Sequence, residues 1–139
     1  MALTLSADVR ALIDGPNFAT VATLDPDGGP QTSIVWVGLD GDALVFSATE
    51  DRKKVRNLRR DPRASVSISD ARDPYRHTQL RGTVTITADP GRTLPKILSH
   101  KYLGEDAAPE SGGRAGHRPA ARREGRRQRP VIRGSLPTT

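Results

Sequence analysis

The apolar positions of this chain change period several times, and each change marks an element. Val9, Leu12 and Ile13 recur at helical spacing behind Ser6, a hydroxyl residue suited to an N-cap, with Asp8 in the first turn. This predicts a short helix over 7–14, ended by Gly15-Pro16. From Phe18 to Leu24 the period drops to two, with Phe18, Thr20, Ala22 and Leu24 on one face and Ala19, Val21 and Thr23 on the other. Asp25-Pro26-Asp27-Gly28-Gly29 then makes a tight turn, because proline presets φ and glycine accepts positive φ. So short a link forces the next strand, 31–38, to run antiparallel. Asp40-Gly41-Asp42 turns the chain into a third strand, 43–47, and the three strands read as a meander.

Helical spacing returns after Thr49, a candidate cap, with Glu50 and Asp51 expected in the first turn. Val55 and Leu58 are the apolar stripe of an otherwise basic helix, Arg52-Lys53-Lys54-Val55-Arg56-Asn57-Leu58-Arg59-Arg60, which Asp61-Pro62 stops. Ala64, Val66 and Ile68 alternate with Ser65, Ser67 and Ser69 in a fourth strand. A loop over 70–74 leads to one long strand, 77–88, with Leu80, Gly82, Val84 and Ile86 on one face; Gly82 suggests a bulge or a close backbone approach. A last helix is expected over 94–103, with Gly104 as its stop.

Beyond about residue 108 the periodicity disappears. Of the 29 residues from Ser111 on, 21 are Arg, Gly, Pro, Ala or Ser, with no lysine and no aromatic. Such a segment buries too little apolar surface to offset its ordering entropy, so 109–139 is expected to be a disordered tail behind a domain spanning 1–108. The abrupt loss of lysine and of pattern favours an out-of-frame translation of GC-rich DNA over a genuine basic tail.

Charge follows the same division. The whole chain is at +6, which invites a nucleic-acid reading. Residues 1–110, however, carry fourteen Lys and Arg against fifteen Asp and Glu, a net of −1, whereas 111–139 carry eight Arg and one acid, a net of +7. Any nucleic-acid binding would therefore be nonspecific and confined to the tail. The absence of cysteine excludes disulfides, thiolate zinc sites and thiol catalysis. No metal-ligand spacing surrounds the histidines. Neither a signal sequence nor a run of roughly 20 apolar residues is present, and a soluble cytoplasmic protein is expected.

Arg52, Lys53 and Lys54 stand at the head of the basic helix, where free backbone N–H groups and the helix dipole favour an anion. Read alone, they also suit a solvated basic face. Gln31 and Ser33 project from one face of the second strand, and alone they read as ordinary outward polar residues. His77 likewise reads as a polar residue at a strand end.

In order and spacing, Phe18-Ala19-Thr20-Val21-Ala22-Thr23-Leu24 with Asp27-Gly28-Gly29-Pro30-Gln31, then Arg52-Lys53-Lys54-Val55-Arg56-Asn57-Leu58, Arg60-Asp61-Pro62-Arg63-Ala64, Leu80-Arg81-Gly82-Thr83-Val84 and Lys101-Tyr102-Leu103-Gly104 resemble the pyridoxamine 5′-phosphate oxidase-like split β-barrels. The match is to their coenzyme F420-dependent branch and covers about residues 3–106. The resemblance implies a mainly β (α+β) fold, an FMN-binding-like split β-barrel with short flanking helices. It implies a homodimer with the cofactor at the interface and hydride transfer from reduced F420 to an unsaturated or aromatic small molecule. Arg52, Lys54 and Asn57 would hold the cofactor phosphate, with Ser47 near the phosphate-bearing side chain. Gln31 and Ser33 would address the ring, and Tyr75 and His77 would reach the partner subunit's site. An FMN-binding pyridoxamine-phosphate-oxidase-like protein is the alternative, because an Arg/Lys phosphate clamp does not separate the two cofactors; Arg56, Arg59 and Arg60 would favour the more acidic F420 if they extended the clamp. A non-enzymatic flavin carrier is a third reading. No residue is identified as catalytic. Family members continue after the Lys-Tyr-Leu-Gly helix into a final strand, for which 130–133, short and preceded by proline, is a poor candidate, so the last strand is expected to be missing.

Overall fold

The short turns predicted above do form hairpins, but the strands they join divide between two sheets. The computed structural model describes residues 5–104 and 131–137. Helix α1 (Ala7–Asp14) is capped by Ser6, whose hydroxyl accepts the Val9 amide. Strands β1 (Ala19–Leu24) and β2 (Pro30–Val35) pair antiparallel, and β3 (Val37–Asp40) pairs with β4 (Ala43–Thr49). Helix α2 (Lys53–Arg60), β5 (Arg63–Ser69), β6 (His77–Thr83), β7 (Thr85–Ala88), α3 (Thr93–Leu103) and β8 (Val131–Pro137) follow. One sheet has the order β2-β1-β5-β6, the other β3-β4-β8-β7. Their facing sides, with Leu12 and Ile13 of α1 and Leu58 of α2, enclose one core containing Val21, Val35, Val37, Leu44, Phe46, Val66, Ile68 and Leu136.

Two expected single strands are therefore pairs. The chain crosses between sheets at Trp36, so 31–38 is not one strand and the meander is broken there. It crosses again at Val84, whose amide donates to the Pro62 carbonyl, dividing 77–88. Apolar alternation continues through each bend because both sheets face the same core, which hides the bends from a period-two pattern. At Gly82 the close neighbour is a side chain rather than the expected backbone: a Cβ there would lie 3.0 Å from Leu136 Cδ1, and the Pro137 carbonyl oxygen is at 3.6 Å.

The final strand is present, against expectation. Val131–Pro137 lies inside the second sheet, paired with β4 from Ala43↔Pro137 to Thr49↔Val131 and with β7 on its other side. Ile132, Gly134 and Leu136 are buried, and Leu136 is fully enclosed. The alternation was obscured because its middle inward position is glycine: a Cβ on Gly134 would fall 2.5 Å from Phe46 Cζ, so the large ring opposite supplies the missing apolar volume. The expected disorder does not hold for 131–137, and the barrel is not short of this strand. The remainder of the tail, 105–130, lies outside the described residues.

Helix α3 packs on the outer side of the second sheet through Leu94 and Leu98 against Val45. Asp89 accepts the Thr93 and Leu94 amides and so caps its start; Gly104, at φ +76°, ends it. Tyr102 stacks on Trp36, with ring centroids 5.1 Å apart and planes 8° from parallel, and donates to the Asn17 carbonyl at 2.6 Å. Trp36 thus helps fasten α3 to the barrel. No helix of the described residues is long and apolar enough to cross a membrane.

Candidate functional site

Helix α2 begins later than the sequence suggests. Thr49 ends β4, its carbonyl accepts the Arg52 amide, and Arg52 occupies the N-cap without a side-chain cap bond. Glu50 and Asp51 belong to the preceding turn, so no acid lies in the first turn of the helix. Val55 and Leu58 anchor α2 in the protein interior, and Asn57, on the same side, is buried with them. This packing turns Lys54 toward β2, where its Nζ donates to Ser33 Oγ at 3.2 Å.

Two of the cations at the head of α2 lack a carboxylate partner among the described residues, and they are the two the resemblance assigned to the phosphate. Lys53 pairs with Asp25 at 3.2 Å and Arg59 with Glu50 at 2.6 Å. Lys54 has, among the described residues, the neutral Ser33 hydroxyl. Burial pushes its ammonium below the ordinary lysine value, and the Arg52 charge pushes the same way. A half-buried ammonium beside a second cation is stabilised by any anion that reaches both. Arg56 and Arg60 are also engaged, with the Asp51 carbonyl and with the Leu24 carbonyl and Asn57 Oδ1 respectively. Arg56, Arg59 and Arg60 therefore do not extend the cationic cradle as free groups, and that argument for F420 over FMN loses its force.

Gln31 and Ser33 face inward, against the outward reading. With Val35 they form the covered side of β2, while Thr32 and Ile34 are exposed. Gln31 lies across from Thr23, a polar residue 1% exposed in the otherwise apolar row Ala19-Val21-Thr23. Thr23 Oγ1 donates to Gln31 Oε1 at 2.9 Å and accepts from Asn57 Nδ2 at 3.1 Å. Asn57 Nδ2 also donates to Asp25 Oδ1 at 3.0 Å. This bond is the main cause that holds the Asp25 carboxyl below its ordinary value. The sequence does not point to Thr23 or Asp25 as members of the site, and it offers Arg60 only as an extension of the phosphate clamp; the available signal is a threonine at the third position of an apolar strand face.

The structure thus brings Gln31, Ser33, Lys54 and Asn57 together, with Arg52 at the head of the same helix. Ser47 lies half-buried on β4, opposite Arg133, two residues before the strand ends and the turn into α2 begins. Tyr75 and His77 are not part of this group within one chain. Both are exposed, Tyr75 to 91%; His77 opens β6 and Tyr75 lies just before it, at the sheet edge opposite β2.

Two four-stranded antiparallel sheets closed on one core, with short helices at their margins, define a split β-barrel of the α+β class. A family model described as Pyridoxamine 5′-phosphate oxidase matches residues 5–126, and the chain belongs to that family of oxidoreductases. It is 33% identical over 81 residues to a pyridoxine/pyridoxamine 5′-phosphate oxidase of Azorhizobium caulinodans, covering 58% of this chain and 38% of that protein. It is 35% identical over 75 residues to the enzyme of the same name from Rhodopseudomonas palustris, covering 53% and 35%. The chain spans less than half the length of these curated relatives. Among solved structures, an F420 reductase superposes with a TM-score of 0.72 at 31% identity, covering 94% of this chain and 93% of the other.

Proposed function

We propose that this protein binds reduced coenzyme F420 and transfers a hydride from it to an unsaturated or aromatic small molecule. The observation that carries this reading is the pair Arg52 and Lys54 at the head of α2, without a carboxylate partner among the described residues and next to Ser33 and Gln31 on β2. The donor set fits the cofactor: two cations and first-turn amides suit a phosphate, and neutral amide and hydroxyl groups suit a heterocycle edge. The similarity to an F420 reductase over nearly the full length of both chains supports the choice of deazaflavin. Reduced F420, when bound, supplies the hydride. This chain's residues do the rest: Lys54 and Arg52 hold the phosphate, and Gln31 and Ser33 set the ring.

The second reading is an FMN-binding pyridoxamine-phosphate-oxidase-like protein, favoured by the names of the curated relatives. Both readings place the cofactor at the interface of a homodimer. Tyr75 and His77, remote from α2 in their own chain, would then complete the partner's site. Fluorescence titration of the purified protein with F420 and with FMN separates the readings. Tighter binding of F420, followed by substrate-dependent oxidation of its reduced form, is the expected result. Preference for FMN moves the assignment to the second reading, and binding of neither removes both.

A further inference from the structure

Gln31 carries an acceptor and a donor on the same amide, and which of them a ligand meets depends on how that amide is turned. We propose that Thr23 and Asn57 are positioning residues that lock the Gln31 side chain with its N–H₂ toward the ligand, so that this position takes a carbonyl or ring-nitrogen acceptor of a heterocycle and rejects a donor. The inference rests on the cofactor reading above and adds to it the polarity of one contact.

The orientation follows from two groups whose polarity is unambiguous. Arg60 can only donate, and it donates to Asn57 Oδ1 at 3.1 Å. Asp25, as a carboxylate, can only accept, and it accepts from Asn57 Nδ2 at 3.0 Å. Between them they allow a single orientation of the Asn57 amide. Its remaining Nδ2 hydrogen goes to Thr23 Oγ1 at 3.1 Å, which leaves the Thr23 hydroxyl hydrogen for Gln31 Oε1 at 2.9 Å. With Oε1 facing Thr23, Nε2 faces away; one of its hydrogens goes to the Thr32 carbonyl at 3.3 Å and the other is left for a ligand. Thr23 and Asn57 are 1% and 2% exposed, so water does not compete for these bonds. Asn57 itself has both donors and its acceptor engaged within the protein. It therefore acts through Gln31 rather than as a phosphate ligand.

The test compares Thr23→Val, which keeps the shape and removes the hydroxyl, with Thr23→Ser, which keeps the hydroxyl. Two ligand pairs are used: FMN with riboflavin, and F420 with its chromophore lacking the phosphate. Thr23→Val should weaken both members of the bound pair by the same factor, about three- to tenfold for one hydrogen bond, and Thr23→Ser should restore it. Lys54→Met should weaken only the phosphorylated member. In the ligand-free protein, the Gln31 side-chain amide resonances should move in Thr23→Val and stay in Thr23→Ser. Should Thr23→Val not fold, Gln31→Glu replaces it: the carboxylate still accepts from Thr23 but offers the ring no donor, and chromophore affinity should fall by a similar factor. Unchanged chromophore affinity in either variant, or unmoved Gln31 resonances in Thr23→Val, overturns the proposal. Failure of the wild type to bind either pair overturns the cofactor reading and its contact with Gln31, while the resonances still report on the lock itself.

Discussion

Gly134 of β8 lies opposite Phe46 of β4, and the space that a side chain on the glycine would fill is occupied by the phenylalanine ring. The relationship fixes both partners. Phe46 is fully buried between the sheets, and a Cβ on Gly134 would fall 2.5 Å from its Cζ, inside contact distance. Gly134→Ala should force the ring or the strand to shift and cost about 1–3 kcal/mol, the usual penalty for overpacking a filled core. Urea denaturation measures it, and an unchanged midpoint would show that the strand is not seated as described.

The same strand predicts the outcome of truncation. Ending the chain after residue 130 removes the strand between β4 and β7, exposes the facing edges of both and uncovers the core around Leu136. Unpaired edges over an open core aggregate. The truncated protein should be insoluble or lack cooperative unfolding, whereas Leu136→Ala in the full chain should fold with a loss of about 2–5 kcal/mol. A soluble, cooperatively unfolding truncation would show that β8 is dispensable.

Why some elements were legible and others were not has a physical explanation in these residues. Helix α1 and strand β5 were read directly, since the Ser6 cap and the Ala64-Val66-Ile68 row are local signals. The bends at Trp36 and Val84 were not, because a strand passing from one sheet to the other keeps the same side toward the core. Strand β8 was missed because its inward row is Ile132-Gly134-Leu136, in which the central apolar volume comes from Phe46, almost ninety residues earlier. At the candidate site, the basic helix draws attention to Arg52 and Lys54 from the sequence, but only the fold shows that Lys53 and Arg59 are neutralised by Asp25 and Glu50. The amide chain through Asn57 and Thr23 depends on packing between α2 and the β1–β2 hairpin, which no local pattern encodes.

Asn57→Ala should be costly even without a cofactor. The substitution leaves the buried Thr23 hydroxyl short of a donor, a loss of about 1–3 kcal/mol by the usual cost of an unsatisfied buried group, and takes a partner from the solvent-accessible Asp25 and Arg60. It also changes the acid response. Asp25 has its folded pKa lowered chiefly by Asn57, so its contribution is present above the unfolded value of 3.8 and is lost as pH falls through the folded one. Removing Asn57 should raise the Asp25 pKa, as read by NMR titration, and shrink the part of acid destabilisation that this group supplies. An Asp25 titration unchanged in the variant would contradict the assignment of cause.

Lys101 gives a prediction at the other end of the pH scale. Its ammonium donates to the Ile13 and Val37 carbonyls and sits 4.9 Å from the centre of the Tyr102 ring. Burial lowers its pKa from 10.5 to about 8, with the Asp14 charge opposing. A lysine whose folded pKa lies below its unfolded one is protonated more readily in the unfolded chain, so stability rises as pH climbs through the interval between them. The neutral amine retains two hydrogens for the two carbonyls, and these bonds survive deprotonation. Between pH 8 and 10 the wild type should therefore gain stability relative to Lys101→Met in urea titrations. Tyr102, whose pKa burial raises above 10.0, destabilises the fold as pH climbs further, but it is present in both proteins and cancels in the difference. A flat difference would mean that the ammonium is not desolvated as its position implies.

Lys54 allows stability and binding to be separated at one residue. Its ammonium is half-buried, donates among the described residues only to Ser33 and is opposed by Arg52, so its charge contributes little to the fold. Lys54→Met keeps the apolar stem against β2 and removes the charge. The variant should unfold at a denaturant concentration equal to or above that of the wild type. Its affinity for a phosphorylated flavin or deazaflavin should nevertheless fall by about ten- to a hundredfold, since a charge-assisted bond is worth about 1.5–3 kcal/mol. Raising ionic strength should weaken the wild type more than the variant, because only the former retains the full electrostatic attraction. Loss of stability together with affinity would instead make Lys54 a structural residue, and the anion site at the head of α2 would have to be assigned to Arg52 alone.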